Sequence, residues 1–365
     1  MKILHFVTGG FSGATSVAVD LVCACNETAD IQSLLVLRRK KNTSTEKLAA
    51  LRNRGVDFEL VTGRSHWGTI RQLAQICRRW QPDILVVHGF PEHLLGRWAG
   101  RLAKVPHMIQ IEHNSRERYT PWKRWQTRYL SRHTDCVVGV SEGVAEVLRR
   151  QQLHAPIRAI ANGIDTQKFV QAATMPVQAR PKDMVMVGRF ARSKDQITVI
   201  KAVAQLKAQG QRAQLLLVGA GKASYQRRAR RLVQALGLDN QVVFCAHTNQ
   251  VAQVLAEHKI FVLASFFEGL NLSVIEAMAA GCVVVGSDTV GVRELIDDQV
   301  DGFLFPEADV DKLAAILAAI LAKPGHWQDM AQRSQLKAQQ QYDKAQALSA
   351  YLDLFYCCAK QKQGV

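Results

Sequence analysis

The feature that most constrains this chain is a regular alternation of short apolar runs with amphipathic helical segments. Runs such as KILHFVT, DILVVH and CVVVGS have the length of buried strands, and IRQLAQICRRW and ITVIKAVAQLKAQG have helical periodicity. Strands that are apolar on both faces and joined by helices form parallel sheets covered by helices on both sides. The alternation therefore predicts an α/β protein built from doubly wound, Rossmann-like sheets.

The alternation restarts once, which indicates two domains. A polar connector over residues 162–182 separates the first series of strands from DMVMVG, and 365 residues are enough for two domains. We predict Rossmann-like domains over 1–170 and 171–344 that face each other across a cleft, and a last helix over about 345–365 that packs back on the first domain. Ligands of such sheets bind at the carboxyl ends of the strands, so the site is expected in the strand-to-helix loops.

Composition excludes several classes of protein. The chain is 48% hydrophobic and 21% charged, which is ordinary for a globular protein, and no apolar run approaches the roughly 20 residues that span a bilayer. The start, MKILHFVTGG, is expected to be a strand rather than a signal peptide, which predicts a cytoplasmic protein. The eight cysteines form no C-x-x-C pair and no zinc-ligand spacing, so they are expected to be reduced and structural.

The charge of the chain points to an anionic partner. The 47 lysines and arginines against 31 acids give a formal net charge of +16, and most of the excess lies in residues 1–170. A field of this sign favours a nucleic acid, an anionic lipid surface or a phosphorylated substrate.

Glycines and cations follow several predicted strands at the edge where ligands are expected. Gly10, in TGGFSGAT, would allow an anion to approach the backbone beside the next helix, or would serve only a plain strand-to-helix turn. The loop lacks the G-x-G-x-x-G dinucleotide fingerprint. Arg189 and Lys194, in VGRFARSKD, combine a planar fork with a mobile point charge, which suits a diphosphate or a solvated loop. Gly219 ends the next strand in a similar turn.

The strongest signal is the stretch FFEGLNLSVIEAMAAG. Glu268 falls in a loop after a strand, and Glu276 falls early in a helix that Gly281 is expected to stop. The amides from Asn271 to Val274 are expected to be free at the start of that helix, where the helix dipole favours an anion. Two carboxylates beside an anion site fit a ligand that carries both phosphates and hydroxyls, whereas a capped surface helix needs neither carboxylate.

The order and spacing of these motifs resemble one family. Glu268 and Glu276 within EGLNLSVIEAMAAGCVVVGSDTVGVRELI look like the E-x7-E signature of the retaining, family 4 type glycosyltransferases, which have the GT-B fold. The likeness runs along nearly the whole chain, through GGFSGAT, IQIEH, NGIDTQKF, GRFARSKD, LLLVGAG and DGFLFPEADVDKLAAIL. Two departures, Gly269-Leu270-Asn271 in place of Gly-Phe-Gly and a missing glycine in CAHTNQ, lie near the donor and leave the donor's identity open.

The resemblance implies roles for the matching positions. Arg189 and Lys194 would hold the donor diphosphate and stabilise the leaving group. Glu276 would bind the ribose hydroxyls, and Glu268 would contact the hydroxyls of the donor sugar. His113, after IQIE, would face that sugar from the first domain, although a structural histidine is the alternative. The other donor-binding positions are Gly10, Gly219, Asn271, Leu272 and Ser273.

The resemblance also implies the reaction. A sugar would move from a nucleotide sugar, with a UDP-sugar preferred, to a saccharide acceptor with retention at the anomeric carbon, and Glu268 would not be the covalent nucleophile of a retaining glycosidase. No cofactor and no metal are expected. The D-x-D sequence at Asp309 and Asp311 precedes a helical run and is better explained as a helix start.

A basic, aromatic segment follows IQIEH. Thr120 and Pro121 predict the start of a helix on which Trp122, Trp125 and Tyr129 share one face. The basic stripe beside them comprises Arg124, Arg128 and Arg132. Such a helix suits an anionic membrane surface and a lipid-linked acceptor of polysaccharide or lipopolysaccharide assembly. The alternative is that the aromatic rings pack on the domain and the arginines are simply solvated.

Two rival functions remain at this point. A nucleotide-sugar 2-epimerase would share the fold and need no acceptor, but its signature lacks this E-x7-E setting. A basic nucleic-acid-binding module would explain the charge, but no aromatic platform or known nucleic-acid motif supports it, so no nucleic-acid partner is expected.

Overall fold

The structure is a computed structural model that describes residues 1–360, except 42, 116–118 and 247. The chain divides into two compact units. The first comprises Met1–Asn162 together with the chain from Gln346 onward, and the second comprises Gly163–Ala345. The boundary therefore lies before α7 (Thr166–Ala172), whereas the sequence analysis placed it inside this helix, after residue 170.

The first unit contains a seven-stranded parallel sheet in the order β3-β2-β1-β4-β5-β6-β7. Its strands are β1 (Lys2–Thr8), β2 (Gln32–Arg38), β3 (Phe58–Val61), β4 (Ile84–His88), β5 (His107–Glu112), β6 (Cys136–Gly139) and β7 (Ile157–Ala159). Its helices are α1 (Gly13–Asn26), α2 (Thr45–Asn53), α3 (His66–Trp80), α4 (Glu92–Ala103), α5 (Pro121–Ser131) and α6 (Glu142–Arg149).

The core of the first unit covers both faces of this sheet. Along β1, Leu4 and Phe6 pack against α3 and α4, whereas Val7 packs against α1, as the two-residue repeat of a strand requires. All three side chains are fully buried. Full burial of one such side chain is worth about 1.5–3 kcal/mol, so both faces contribute to stability.

The second unit contains a six-stranded parallel sheet in the order β10-β9-β8-β11-β12-β13. Its strands are β8 (Lys182–Val187), β9 (Leu215–Val218), β10 (Val242–Cys245), β11 (His258–Leu263), β12 (Val283–Ser287) and β13 (Phe303–Phe305). Its helices after α7 are α8 (Gln196–Ala208), α9 (Ala223–Ala235), α10 (Val251–Glu257), α11 (Leu272–Ala279), α12 (Val290–Arg293), α13 (Val310–Ala322) and α14 (Gln328–Gln341). Two 3-10 turns cover Val177–Ala179 and Pro324–Trp327.

A last helix, α15 (Lys344–Lys360), begins at the end of the second unit and runs over the first. The ring of Phe355 meets that of His5 edge to face, with 5.9 Å between centroids, and the hydroxyl of Tyr356 donates to Asp30 at 2.7 Å. The part of this predicted helix over residues 361–365 lies outside the described residues.

The sequence analysis predicted the buried strands but missed β3 and β13. Both are edge strands of three or four residues with partly exposed side chains, so they lack the long apolar run that marks a central strand. The helix start predicted at Asp309 is confirmed, because its carboxylate accepts a hydrogen bond from the Lys312 amide of α13 at 2.9 Å. Among the described residues, no helix has the length and apolar character needed to cross a membrane.

Candidate functional site

In the second unit, two loops that follow adjacent strands run side by side at the carboxyl edge of the sheet. Two backbone hydrogen bonds join the loops. Asp195 N, in the loop after β8, donates to Ala264 O at 2.8 Å, and Phe266 N, in the loop after β11, donates to Ser193 O at 3.0 Å. Lys194 and Ser265 form an antiparallel bridge within this ribbon. The register brings together two side chains that are far apart in sequence.

Lys194 and Glu268 form an ion pair at this place. Their Nζ and Oε1 atoms are 2.6 Å apart, and the two side chains are only 15% and 13% exposed. From the sequence, Lys194 was expected to bind a diphosphate and Glu268 a sugar, and a contact between the two was not predicted. A charge in so sheltered a place needs a partner, so each side chain holds the other in a fixed position in the absence of ligand.

Arg189 lies beside this pair in sequence but has a different environment. It follows β8, its side chain is exposed, and its backbone carbonyl accepts from Gln196 Nε2 at 3.1 Å. Among the described residues its guanidinium makes no hydrogen bond or ion pair. The backbone of Arg189 is therefore held in place, and its guanidinium is available to bind an anionic ligand.

The start of α11 is occupied by its own cap. Asn271 is buried, and its Oδ1 accepts from Ser273 N at 3.0 Å, from Val274 N at 3.3 Å and from Ser273 Oγ at 2.7 Å. Leu272 lies between them as the first residue of the helix. The expectation of free amides is not met at Ser273 and Val274: a phosphate at these two amides has to displace the Asn271 side chain. An asparagine directly before an apolar helix was the available signal, because it is a preferred N-cap residue.

Glu276 lies on α11 where this helix packs against α7. Its carboxyl is half-buried and makes no hydrogen bond or ion pair among the described residues. Burial raises the pKa of Glu276 to about 7, and the nearby Lys168 ammonium opposes that rise. A partly dry carboxyl without a partner is the kind of group that can accept hydrogen bonds from ligand hydroxyls.

The glycine at 219 is required by the neighbouring backbone. Its φ is +151°, and a Cβ there would lie 2.1 Å from the carbonyl oxygen of Gly188. The loops after β8 and β9 touch at this point, and Phe190 N donates to Ala220 O at 2.9 Å. This contact alone explains Gly219, so the predicted role in donor binding has no steric support of its own. His247, within CAHTNQ at the next strand end, lies outside the described residues.

In the first unit, Gly10 lies beside Lys40, which belongs to a cluster of charged side chains that the sequence pattern did not reveal. A Cβ at Gly10 would meet nothing closer than Thr8 Oγ1 at 3.5 Å, and the Lys40 side chain lies 3.9 Å away. Lys40 Nζ and Arg38 Nη1 both contact Glu92 Oε1, at 3.1 and 3.3 Å. Glu92 and Arg38 are buried at the carboxyl edge of the sheet, so this cluster faces the side where ligands of such sheets bind.

His113 follows β5 and continues a row of three histidines. His88 Nδ1 is 3.3 Å from His113 Nε2, and His88 Nε2 is 3.2 Å from His5 Nδ1. Adjacent rings are 5.5 Å apart. Burial lowers the pKa of His113 to about 4 and that of His5 to about 3, so both are neutral near pH 7. Histidines in otherwise apolar strands were the missed signal.

Helix α5 starts as predicted, with Pro121 in its first turn and Thr120 Oγ1 accepting from Lys123 N at 3.4 Å. The rings of Trp122 and Trp125 are stacked 4.8 Å apart and are 64% and 52% exposed. Arg124, Arg128 and Arg132 are exposed beside them. Trp125 also stacks on Tyr129, and Tyr129 stacks on Trp98 of α4, so this row of rings packs on the domain at one end and is exposed at the other. Residues 116–118 of the same segment lie outside the described part of the chain.

The sequence analysis also missed two further exposed apolar side chains in the first unit. Trp67 is 80% exposed, and Leu102 is 50% exposed. Both line a groove that also includes Trp122. The exposure of Trp67, near the start of α3, is hard to predict, because the sequence pattern does not show which face of this helix is covered.

Two family descriptions match the chain, and together they cover most of it. "Glycosyltransferase Family 4" matches residues 11–168, and "Glycosyl transferases group 1" matches residues 171–337. The putative colanic acid biosynthesis glycosyltransferase WcaL of Escherichia coli K12 is 30% identical over 268 residues, which cover 67% of this chain and 63% of WcaL. The chain thus spans less than two thirds of that relative.

A further relative and a solved structure extend the comparison. The UDP-Gal:alpha-D-GlcNAc-diphosphoundecaprenol alpha-1,3-galactosyltransferase of Escherichia coli is 22% identical over 265 residues, 68% of each chain. The structure of Anabaena Alr3699/HepE in complex with UDP and glucose superposes with a TM-score of 0.84 at 19% identity, over 98% of this chain and 100% of that one. This likeness shows the fold. With two Rossmann-like units, the E-x7-E pair at the carboxyl edge of the second sheet and both family matches, the chain belongs to the family 4, group 1 glycosyltransferases of the GT-B fold.

Proposed function

We propose that this protein is a retaining, metal-independent glycosyltransferase that moves a sugar from a UDP-sugar to a lipid-linked saccharide in the assembly of a surface polysaccharide or lipopolysaccharide. It would work at the cytoplasmic face of the membrane. The donor would bind in the second unit at the carboxyl edge of the sheet.

The observation that carries the proposal is the grouping of charges at that edge. The ion pair of Lys194 and Glu268 follows two adjacent strands, β8 and β11, and so do the Arg189 guanidinium and the Glu276 carboxyl, neither of which has a partner in the described part of the chain. A nucleotide sugar presents a diphosphate for the cations and hydroxyls for the carboxylates. When the diphosphate arrives, Lys194 can share its charge between Glu268 and a phosphate oxygen, which stabilises the leaving group as negative charge develops.

The relatives support the donor and the acceptor. The Anabaena protein of the same fold was solved with UDP and glucose, and the Escherichia coli galactosyltransferase is named for a UDP-sugar and a diphosphoundecaprenol-linked acceptor. Such an acceptor is an anionic lipid, which agrees with the net charge of +16.

Donor binding and transfer are tested with one variant and one matched control. Glu268→Gln keeps the shape of the side chain and a carbonyl for Lys194, so it should fold normally and abolish transfer. Asp183→Asn is the control, because Asp183 forms a comparable pair with Lys259 at 3.1 Å at the amino ends of β8 and β11. It should retain activity. Thermal stabilisation by UDP-, GDP- and ADP-sugars identifies the donor, and a ligand at 100 times its Kd adds about 2.7 kcal/mol.

Several outcomes would contradict the proposal. Most of the turnover remaining in Glu268→Gln would remove Glu268 from the site. Conversion of the donor to an isomeric sugar without acceptor would indicate the epimerase. Inversion at the anomeric carbon, read by NMR of the first product formed, would exclude retention, and loss of transfer in EDTA with recovery on adding a divalent cation would exclude metal independence.

Binding to the membrane surface is proposed through the exposed tryptophan rings of α5. Trp122 and Trp125 present an exposed apolar face, and the exposed arginines beside them add positive charge. Tryptophan rings favour the membrane interface and arginines favour anionic headgroups. This surface would bring the enzyme to a lipid-linked acceptor.

A further inference from the structure

The three-histidine row of His5, His88 and His113 can carry hydrogen bonds in only one direction at a time. Each of its two contacts joins two ring nitrogens, at 3.2 and 3.3 Å. A neutral imidazole has one N–H and one bare nitrogen, so each contact needs one donor and one acceptor. Once the proton of one ring is placed, the tautomers of the other two follow.

The buried end of the row decides the direction. His5 is fully buried beside Phe355, and its Nε2 meets no hydrogen-bond partner among the described residues. If the row ran inward, that Nε2 would carry a buried N–H with nothing to accept it. If the row runs outward, the same atom is a bare acceptor, and a buried acceptor without a partner is tolerated more often than an orphaned N–H.

The outward direction fixes every proton. His5 Nδ1–H donates to His88 Nε2, and His88 Nδ1–H donates to His113 Nε2. The remaining proton of His113 is then on Nδ1, which has no partner among the described residues. His113 is partly exposed at the carboxyl end of β5, so this N–H lies at the edge of the sheet where ligands bind.

We propose that His88 and His5 are positioning residues that hold His113 as its Nδ1–H tautomer, so that His113 acts as a hydrogen-bond donor and not as a base. The assignment of the tautomer stands by itself, whereas its use in transfer rests on the proposed function. A fixed N–H donor suits the oxygen atom of a bound sugar.

The tautomers are measured by long-range proton–nitrogen NMR on protein labelled with nitrogen-15 in its histidine rings. The His113 signals are assigned by their loss in His113→Gln. In the wild type we expect Nδ1 of His113 to appear protonated and Nε2 bare. The reverse pattern, or a mixture of the two forms, would overturn the proposal without any variant of the row.

The His88→Phe variant tests whether the row sets this state. The phenyl ring retains the contacts with both neighbours and removes both nitrogens, so His113 is expected to shift toward the Nε2–H form. The matched control is His107→Gln, a buried histidine at the other end of β5 that contacts Asp135 at 2.9 Å. It should leave His113 unchanged. An unchanged His113 in His88→Phe would overturn the positioning role.

Kinetics separate this proposal from the proposed function. His88→Phe is expected to lower kcat about 10- to 100-fold, as the loss of an orienting hydrogen bond does in other sites, with little change in KM for the donor. A rise in KM for the nucleotide sugar with kcat unchanged would contradict the role of His113 as a hydrogen-bond donor in transfer. If no UDP-sugar binds or reacts with the wild type, the proposed function fails, and the NMR result still decides the tautomer.

Discussion

The environment of Glu276 changes the chemistry of its carboxyl group. An exposed glutamate is ionised at pH 7, but burial against α7 raises the pKa of Glu276 to about 7. The carboxyl is therefore only partly ionised near neutral pH when no ligand is bound. Ribose hydroxyls donate hydrogen bonds, and a carboxylate accepts them more strongly than a carboxylic acid, so binding would favour the ionised form.

If the ribose of UDP binds at Glu276, the affinity for UDP should depend on pH. Because the free enzyme holds the proton below about pH 7, affinity should rise as the pH increases toward 7 and level off above it, by up to about tenfold per unit. Glu276→Gln should remove this component and leave only the titration of the UDP phosphate. Calorimetry from about pH 5.5 to about pH 8 measures both. Identical pH profiles for the two proteins would contradict the prediction.

At the scale of elements, the cap of α11 decides how the helix start meets a ligand. Asn271 holds the amides of Ser273 and Val274, and Ser273 Oγ also lies 3.1 Å from the carbonyl of Val187 in β8. The helix start is thus tied to the strand that leads to Arg189. A phosphate and the Asn271 carbonyl would compete for the same two amides.

Substitutions at Asn271 separate capping from binding. Asn271→Ala should lower the free energy of unfolding by about 1 kcal/mol, because two amides lose their acceptor. Asn271→Asp should keep the cap and the stability, but its charge should weaken UDP binding if the phosphates rest there. Urea unfolding and UDP titration report the two effects. Wild-type affinity in Asn271→Asp would place the phosphates elsewhere.

The strand-end glycines give a matched pair for the same question. In Gly219→Ala the added methyl would meet the Gly188 carbonyl at 2.1 Å, so the two loops must separate, at a cost of about 1–3 kcal/mol. Gly10→Ala has room and should unfold like the wild type. Urea unfolding tests both. A loss of transfer in Gly10→Ala without loss of stability would report a substrate close to that backbone.

At the scale of the whole molecule, charge and exposed aromatic side chains predict membrane binding. The wild type should float with anionic vesicles and not with neutral ones, and added salt should weaken binding. Trp122→Ser with Trp125→Ser should abolish flotation. Arg128→Gln should reduce the affinity by about fivefold, since one arginine near an anionic surface is worth about 1 kcal/mol. Val243→Ser, at another exposed apolar side chain, is the control.

Several flotation results would contradict the prediction that this surface binds anionic membranes. Equal recovery with neutral and anionic vesicles would exclude recognition of anionic lipid, and no recovery with either would exclude binding. Wild-type flotation of the double tryptophan variant would move the contact away from α5.

The parallel sheets and their restart after a polar connector could be predicted from the sequence, and so could the loops that carry Arg189, Lys194, Glu268 and Glu276. These features depend on local pattern: apolar runs predict buried strands, and the carboxyl edge of a parallel sheet predicts where ligands lie. The family match supports the same fold. The edge strands β3 and β13 escaped because they are only four and three residues long and partly exposed, which leaves too weak a pattern.

Which side chains meet could not be predicted, because it depends on how the strands and loops are arranged in space. Lys194 reaches Glu268 because the loops of two adjacent strands form a ribbon, and His113 joins His88 and His5 because β1, β4 and β5 are neighbours in the sheet. Packing likewise sets the burial that raises the pKa of Glu276 and the exposure of the Trp122 and Trp125 rings. A linear sequence shows which groups are present, but hydrogen bonds, ion pairs and pKa shifts depend on distances that only the folded chain sets.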